Sequence, residues 1–322
     1  MPGLRVRHIG LDAYVRQVLP QTAALWADGR DFETYVAQTI EIARSPYGRL
    51  HYRTAGLYDG GTIVASFKRY ERIVHAGTRR LRGLGIGAVF TPPERRGRGY
   101  ASAMLAGELD RARAGGCDLA YLFSDIHPQF YSALGFTAFP AREIRLRADG
   151  LPATRLNPAR LEDRDWPGVR RCYDLGERRR PAGFTRSPLV WDWIRTRMRQ
   201  AAETGGGQKT DLVLRRGRSI AAYVLGTRDP QRDAYVLDEF GFADDAAAET
   251  IPALLRAAAG DLRRIVGWLP PGGARELLPK GAVRKRRQAI FMAAPLSPAG
   301  GLLLRAFAES AKADPCWHAE HV

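Results

Sequence analysis

Between Leu84 and Ala114 the chain switches from strand to helix through a turn rich in glycine and arginine, and no other segment restricts the possible folds as strongly. Leu84-Gly85-Ile86-Gly87-Ala88-Val89-Phe90 is an apolar, strand-like run that Pro92-Pro93 ends. From Tyr100 to Ala114 the apolar residues Met104, Leu105, Leu109 and Ala112 recur at helical spacing, and Gly115-Gly116 stops the helix. The connection is Glu94-Arg95-Arg96-Gly97-Arg98-Gly99. Gly97 and Gly99 let the backbone come close to a ligand. The N–H groups from about Gly97 to Ala101 are unpaired donors at the positive end of a helix dipole, a ready site for a pyrophosphate. Arg96 and Arg98 add charge and forked donors for phosphate oxygens. A dinucleotide fingerprint needs three glycines at its own spacing, and a P-loop needs a terminal Gly-Lys-Ser/Thr; neither is present. Basic glycine turns are common, so this one alone leaves a plain solvated loop open.

The surroundings give the turn a setting. Leu11 to Arg44 reads as helical, with Tyr14, Val15, Val18 and Leu19 on one face and Phe32, Val36 and Ile40 at four-residue steps. Arg53–Tyr58 and Thr62–Phe67 form a hairpin across Asp59-Gly60-Gly61, and a further strand pair flanks Gly77-Thr78. After the Tyr100 helix come a buried strand, Leu119–Phe123, a short helix, Pro128–Leu134, and a closing strand from about Ala141 to Arg147. A boundary falls near Ala148-Asp149-Gly150, and beyond it the same order recurs. Helical material spans Glu162–Arg199, a hairpin turns at Arg216-Gly217, and strand Tyr235–Phe242 leads to helix Ala246–Ala259. Strand Arg264–Leu269, a short helix at Ala274–Leu278 and strand Gln288–Ala293 complete it. The expectation is a mixed α/β (α+β) chain with a first unit at 1–148 and a divergent second copy at 149–322. In that copy Asp238-Glu239-Phe240-Gly241-Phe242 runs straight into Asp244-Asp245, two carboxylates that repel a pyrophosphate.

Composition narrows the function classes. The 322 residues suit about two domains, and no run of 18 apolar residues suggests a membrane span. The start has no signal-peptide core, and three widely spaced cysteines form no metal-type pair, so a reduced cytoplasmic protein without a metal is expected. The net charge of +16 comes almost wholly from Arg, since Lys occurs only at 68, 209, 280, 285 and 312. This charge is spread along the chain beside Asp and Glu. Arg284-Lys285-Arg286-Arg287 reads as a solvated turn or strand edge in preference to a nucleic-acid patch. Trp191 and Trp193 read as helical core.

Arg96-x-x-Gly99-x-Ala101, preceded by Pro93-Glu94, resembles the R/Q-x-x-G-x-G/A signature of the GNAT superfamily, and Phe130-Tyr131-Ser132-Ala133-Leu134-Gly135-Phe136 is similar to its F-Y-x-x-L-G-F hallmark. Residues 50–140 resemble the fungal-type lysine N6-acetyltransferases. The tandem layout is similar to that of the enhanced-intracellular-survival acetyltransferases. The resemblance implies a tandem acyl-CoA N-acyltransferase (GNAT) fold with a degenerate second domain and acetyl-CoA as co-substrate. It implies backbone contacts from Val89 and Thr91 to the pantetheine arm. A diphosphate loop formed by Arg96, Gly97, Arg98, Gly99, Tyr100 and Ala101, with Ser102, follows as well. Tyr131 matches the tyrosine that protonates the departing thiolate. Asp125 and His127 are candidates for the base, with Asp125 equally suited to cap the Pro128 helix, and the tail carboxylate is a further candidate. Asp238 and Glu239 could supply carboxylates to an acceptor pocket. The acceptor is expected to be a small-molecule amine, free lysine first, with an aminoglycoside, a polyamine or a protein lysine as alternatives. A non-catalytic regulatory or nucleic-acid-binding scaffold is the reading from another class. Oligomeric state is left open.

Overall fold

A computed structural model describes residues 4–126, 128–153, 155–279, 283–309 and 315–321. Period-two alternation and tight turns build its first sheet from β1 (Leu4–His8), β2 (Tyr52–Asp59), β3 (Thr62–Ala76), β4 (Arg79–Phe90) and β5 (Leu119–Ser124). β2, β3 and β4 are joined through Gly60 and Gly77, whose φ values of 60° and 56° suit tight turns. β4 and β5 run parallel, which requires a crossover, and the Tyr100–Ala114 helix supplies it. Met104, Leu105 and Leu109 of that helix pack on Leu57, Phe67, Leu84 and Leu122. The opposite face buries Val74, Leu119 and Tyr121 under Phe184, Leu303 and Phe307. The helices Leu11–Gln17, Leu19–Trp26 and Phe32–Arg44 match the helical reading, whereas β1 had no strand signal in five residues of mostly basic character.

The second sheet repeats the plan. Leu212–Arg216, Ser219–Asp229 and Ala234–Phe242 are antiparallel neighbours, and Arg264–Trp268 pairs parallel with Ala234–Phe242 after the Ile251–Ala259 helix. Trp191 and Trp193 are each 1% exposed, as core residues should be. Among the described residues no helix is long and apolar enough to cross a membrane.

The two sheets do not divide at residue 148. Arg142–Arg147, expected to close the first sheet, instead pairs with Arg264–Trp268 and Val283–Lys285 in the second. Ile290–Pro295, expected in the second sheet, pairs with β5 and with Thr137–Ala138 in the first. Alternation reports which face of a strand is buried and says nothing of its neighbour. Ile144 and Leu146, at 1% and 4% exposure, would look the same in either sheet.

Candidate active site

The glycine–arginine turn has the backbone that its sequence demands. Gly97 and Gly99 take φ values of +75° and +76°, where only glycine sits without strain. Gly99 caps the Tyr100–Ala114 helix with no side-chain hydrogen bond, and the first turn holds no acidic residue. Among the described residues the N–H groups from Gly97 to Ser102 have no acceptor, while Arg95 and Arg96 bond back to Pro92 and Pro93. A Cβ built on Gly97 or Gly99 would meet nothing within 4 Å. The corner is therefore open, with a row of bare donors at a helix N-terminus. Arg98 is exposed, and Arg96 braces the turn by donating through Nε to the Thr91 carbonyl at 3.2 Å. Thr91 keeps a buried hydroxyl with no partner.

The strand leading into this turn parts from its neighbour. Parallel pairing of β4 with β5 ends at Ile86 and Leu122, although both strands continue. On the other side a bulge interrupts the β3 ladder between Ser66 and Lys68, so Ala88 and Val89 have no cross-strand partner. Ala88 is held at φ +48°, a region that costs a residue with a Cβ. A cavity of about 1040 Å³ opens at this gap, lined at one end by Gly87, Ala88, Val89, Phe123, Asp125 and Tyr131.

Tyr131 lies on the short helix Gln129–Ser132, its ring packed against Phe130 and Phe136 at 4.9 and 6.1 Å between centroids. Burial, then the charge of Asp125, pushes its hydroxyl up to about 12, so it is protonated at neutral pH. Asp125 does not cap that helix: Pro128 is the N-cap and no side chain bonds there. Asp125 Oδ1 instead accepts the Ala289 N–H at 2.8 Å, tying β5 to the strand from the far end of the chain. Sequence spacing sees only the near helix and cannot see that distant strand. His127 lies outside the described residues.

The C-terminal segment forms the other wall. Its short 3-10 turn, His318–Glu320, buries Glu320 to 1% exposure between Arg72 and Arg186. Arg186 Nε donates to Glu320 at 2.6 Å, and Arg186 also donates to Glu239 at 2.7 Å. Burial alone would raise the Glu320 carboxyl, but Arg186 and Arg72 hold it at about 2. His318 Nδ1 is 2.9 Å from Asp238 Oδ1, and Lys209 Nζ donates to the same carboxylate at 2.9 Å. Burial, then His318 and Arg197, pushes the His321 imidazole well down, and its ring stands edge-on to Phe123 at 5.2 Å. Both histidines line the cavity. Asp238 and Glu239 are thus engaged by Lys209, His318, Arg186 and Tyr223, which corrects the expectation that they face an acceptor. The tail carboxylate belongs to Val322, outside the described residues.

The sequence reading missed Lys68, Tyr52, Tyr70, Arg197 and the histidines as cavity residues. The one available signal was the rarity of lysine. At the matching corner of the second sheet, Asp244 accepts the Ala247 N–H at 2.9 Å and Arg216 binds the same carboxylate, so the carboxylate occupies that helix start. Arg284 and Lys285 are exposed on an edge strand of that sheet.

Residues 15–139 match the family described as acetyltransferase (GNAT) domain. No match is found among curated proteins. A GCN5-related N-acetyltransferase from Anabaena variabilis ATCC 29413 aligns with a TM-score of 0.74 at 14% identity, over 92% of this chain and 74% of that one. Eis1 from Mycobacterium abscessus aligns with a TM-score of 0.61 at 14% identity, over 95% of this chain and 76% of its own. A tandem GNAT protein from the clavulanic acid biosynthesis pathway aligns at 0.52 and 14% identity, over 92% of this chain and 99% of its own. At such identities the likeness is one of fold.

Proposed function

We propose that this chain, an acyltransferase with a GNAT acetyltransferase domain at 15–139 in a tandem acyl-CoA N-acyltransferase fold, transfers an acetyl group from acetyl-CoA to a primary amine. Free lysine is the first acceptor to test. The observation that carries this reading is the row of unbonded amides from Gly97 to Ser102, opening onto bare space beside the unpaired Ala88 and Val89. Acyl-CoA bound there supplies an activated thioester carbonyl. The amides of Gly97, Gly99, Tyr100, Ala101 and Ser102 hold the diphosphate, with Arg98 and Arg96 adding charge. The unpaired backbone of Val89, with Thr91 beside it, receives the pantetheine arm and polarises the carbonyl. Tyr131 donates a proton to the departing thiolate. The acyl-CoA side of the site and Tyr131 lie within 1–148, and 149–322 shapes the acceptor side.

The attacking amine must lose a proton, because amines are charged at pH 7. His318 suits this role better than Asp125. A proton on Nδ1 shared with Asp238 leaves Nε2 free to accept, whereas Asp125 already holds the Ala289 N–H. Calorimetry is expected to show acetyl-CoA binding, and a CoA-release assay over an amine panel is expected to show turnover. No release with any primary amine would overturn the acceptor class.

Two variants test the roles. Tyr131→Phe keeps the ring packing and is expected to lower kcat about 100-fold, near the low end for a lost general acid. Its hydroxyl stays protonated to about 12, so the deficit should be constant from pH 7 to 9. Unchanged turnover across that range ends the acid assignment. His318→Asn is expected to lose a similar factor at pH 7, but its deficit should shrink as pH rises and the amine deprotonates unaided. A deficit independent of pH would reject His318 as the base.

A further inference from the structure

Several cations buried elsewhere in this protein have carboxylate partners. Arg72 pairs with Glu320, Arg186 with Glu239 and Glu320, Arg180 with Glu177, and Lys209 with Asp211 and Asp238. Lys68 and Arg197, both on the cavity wall, break this pattern. Among the described residues neither side chain makes an ion pair or a hydrogen bond. Their closest companions are π faces: Lys68 Nζ is 5.9 Å from the Tyr14 ring centroid, and the Arg197 guanidinium is 4.7 Å over Trp193. Such contacts do not replace a counter-ion. Burial, then Arg197 and Arg30, pushes Lys68 down to about 8, which is the response of a cation that lacks an anion.

Two hydroxyls share the same wall. Tyr52 is 4% exposed and its hydroxyl has no hydrogen-bond partner. Tyr70, 7% exposed, lies beside it with ring centroids 5.3 Å apart. Carboxylates on the wall do not neutralise this group. Asp28 has a side chain 78% exposed, next to Arg30, and Asp125 is bonded at the thioester end. An ammonium group brought here meets two like charges, whereas an acid group finds two cations and two O–H donors.

We propose that Lys68, Arg197, Tyr52 and Tyr70 form an anion subsite, and that the acceptor is a small amine carrying an acid group, carboxylate or phosphate, at its far end. The proposal rests on the acyl-transfer reading above and names its substrate class. The acid group docks on Lys68 and Arg197 while the amine faces Val89 and Tyr131 across the same cavity. Polyamines and aminoglycosides, which carry only positive charge, are disfavoured acceptors.

The test uses matched amines in a CoA-release assay on the full chain: 6-aminohexanoate against hexylamine, and 3-aminopropylphosphonate against propylamine. The acid-bearing member of at least one pair is expected to show kcat/KM about 10- to 100-fold higher, the range for a charged hydrogen bond. A larger gain in the phosphonate pair assigns a phosphate acceptor, and a larger gain in the carboxylate pair a carboxylate one. Lys68→Met and Arg197→Met should erase most of the gain with acetyl-CoA affinity unchanged by calorimetry, and Lys68→Arg should retain it. Neither methionine variant breaks an ion pair, so thermal midpoints should hold or rise. A marked fall in midpoint would instead assign these cations to the fold and overturn the subsite. Equal turnover within both pairs, with acetyl-CoA still bound, also overturns the subsite and leaves acyl transfer intact. Failure to bind acetyl-CoA removes the reading beneath it.

Discussion

Replacing Glu320 with alanine is expected to lower the free energy of unfolding by about 3–5 kcal/mol, the range for removing one partner of a buried ion pair. The side chains of Arg72 and Arg186 are 0% exposed and that of Glu320 is 1% exposed, so no water can take over. Arg186 would retain Glu239, but Arg72 would keep only the faces of Phe184 and Trp193, at 5.2 and 5.6 Å. A urea midpoint reads the loss directly. The pH dependence gives a second check. Glu320 titrates near 2 when folded and near the usual glutamate value of about 4.3 when unfolded, so its stabilisation is full above the latter. It fades as pH falls through the folded value, and the gap between wild type and variant should close between about pH 4 and 2. An unchanged midpoint at pH 7 would mean that the C-terminal segment is not docked in solution.

Ala101→Asp is expected to weaken acetyl-CoA binding by a comparable energy while leaving the fold untouched. It places a carboxylate on the first turn of a helix that has no acidic residue there. If the diphosphate sits on those amides, two anions about 4 Å apart repel by roughly 4 kcal/mol at an effective dielectric constant of 20, which is about 10³-fold in affinity. The same carboxylate favours the helix by about 0.3–1 kcal/mol, so thermal stability should hold or rise. Opposite signs for binding and stability separate a lost site from a damaged one. The chain carries its own precedent in Asp244, which binds the amide of Ala247 where no phosphate loop exists. Unaltered acetyl-CoA affinity by calorimetry would move the diphosphate elsewhere.

Much of the fold was legible because its signals are local. The apolar run before Pro92, the helical spacing from Met104 to Ala112 and the glycines at 97 and 99 each dictate structure within a few residues. The repeated element order beyond residue 148 was legible for the same reason, as was the absence of a phosphate loop before Asp244. Strand partners were not legible. Asp125 near β5 gives no hint that it will bind Ala289, and alternation at Ile144 is silent on which sheet it joins. The acceptor side was the least visible. Lys68, Arg197 and His318 come from three distant segments, and a lone lysine in a strand reads as an ordinary solvated charge until its empty surroundings are seen.

The traded strands give this protein an unusual order of assembly. β5, buried at all six positions, has no partner on one side until Ile290–Pro295 has been synthesised. A nascent chain therefore carries a sticky, half-finished sheet edge while about half of its length is made, which favours a holding chaperone or rapid late closure. Any recombination that imported a new second half would also remove a staple from the old first one.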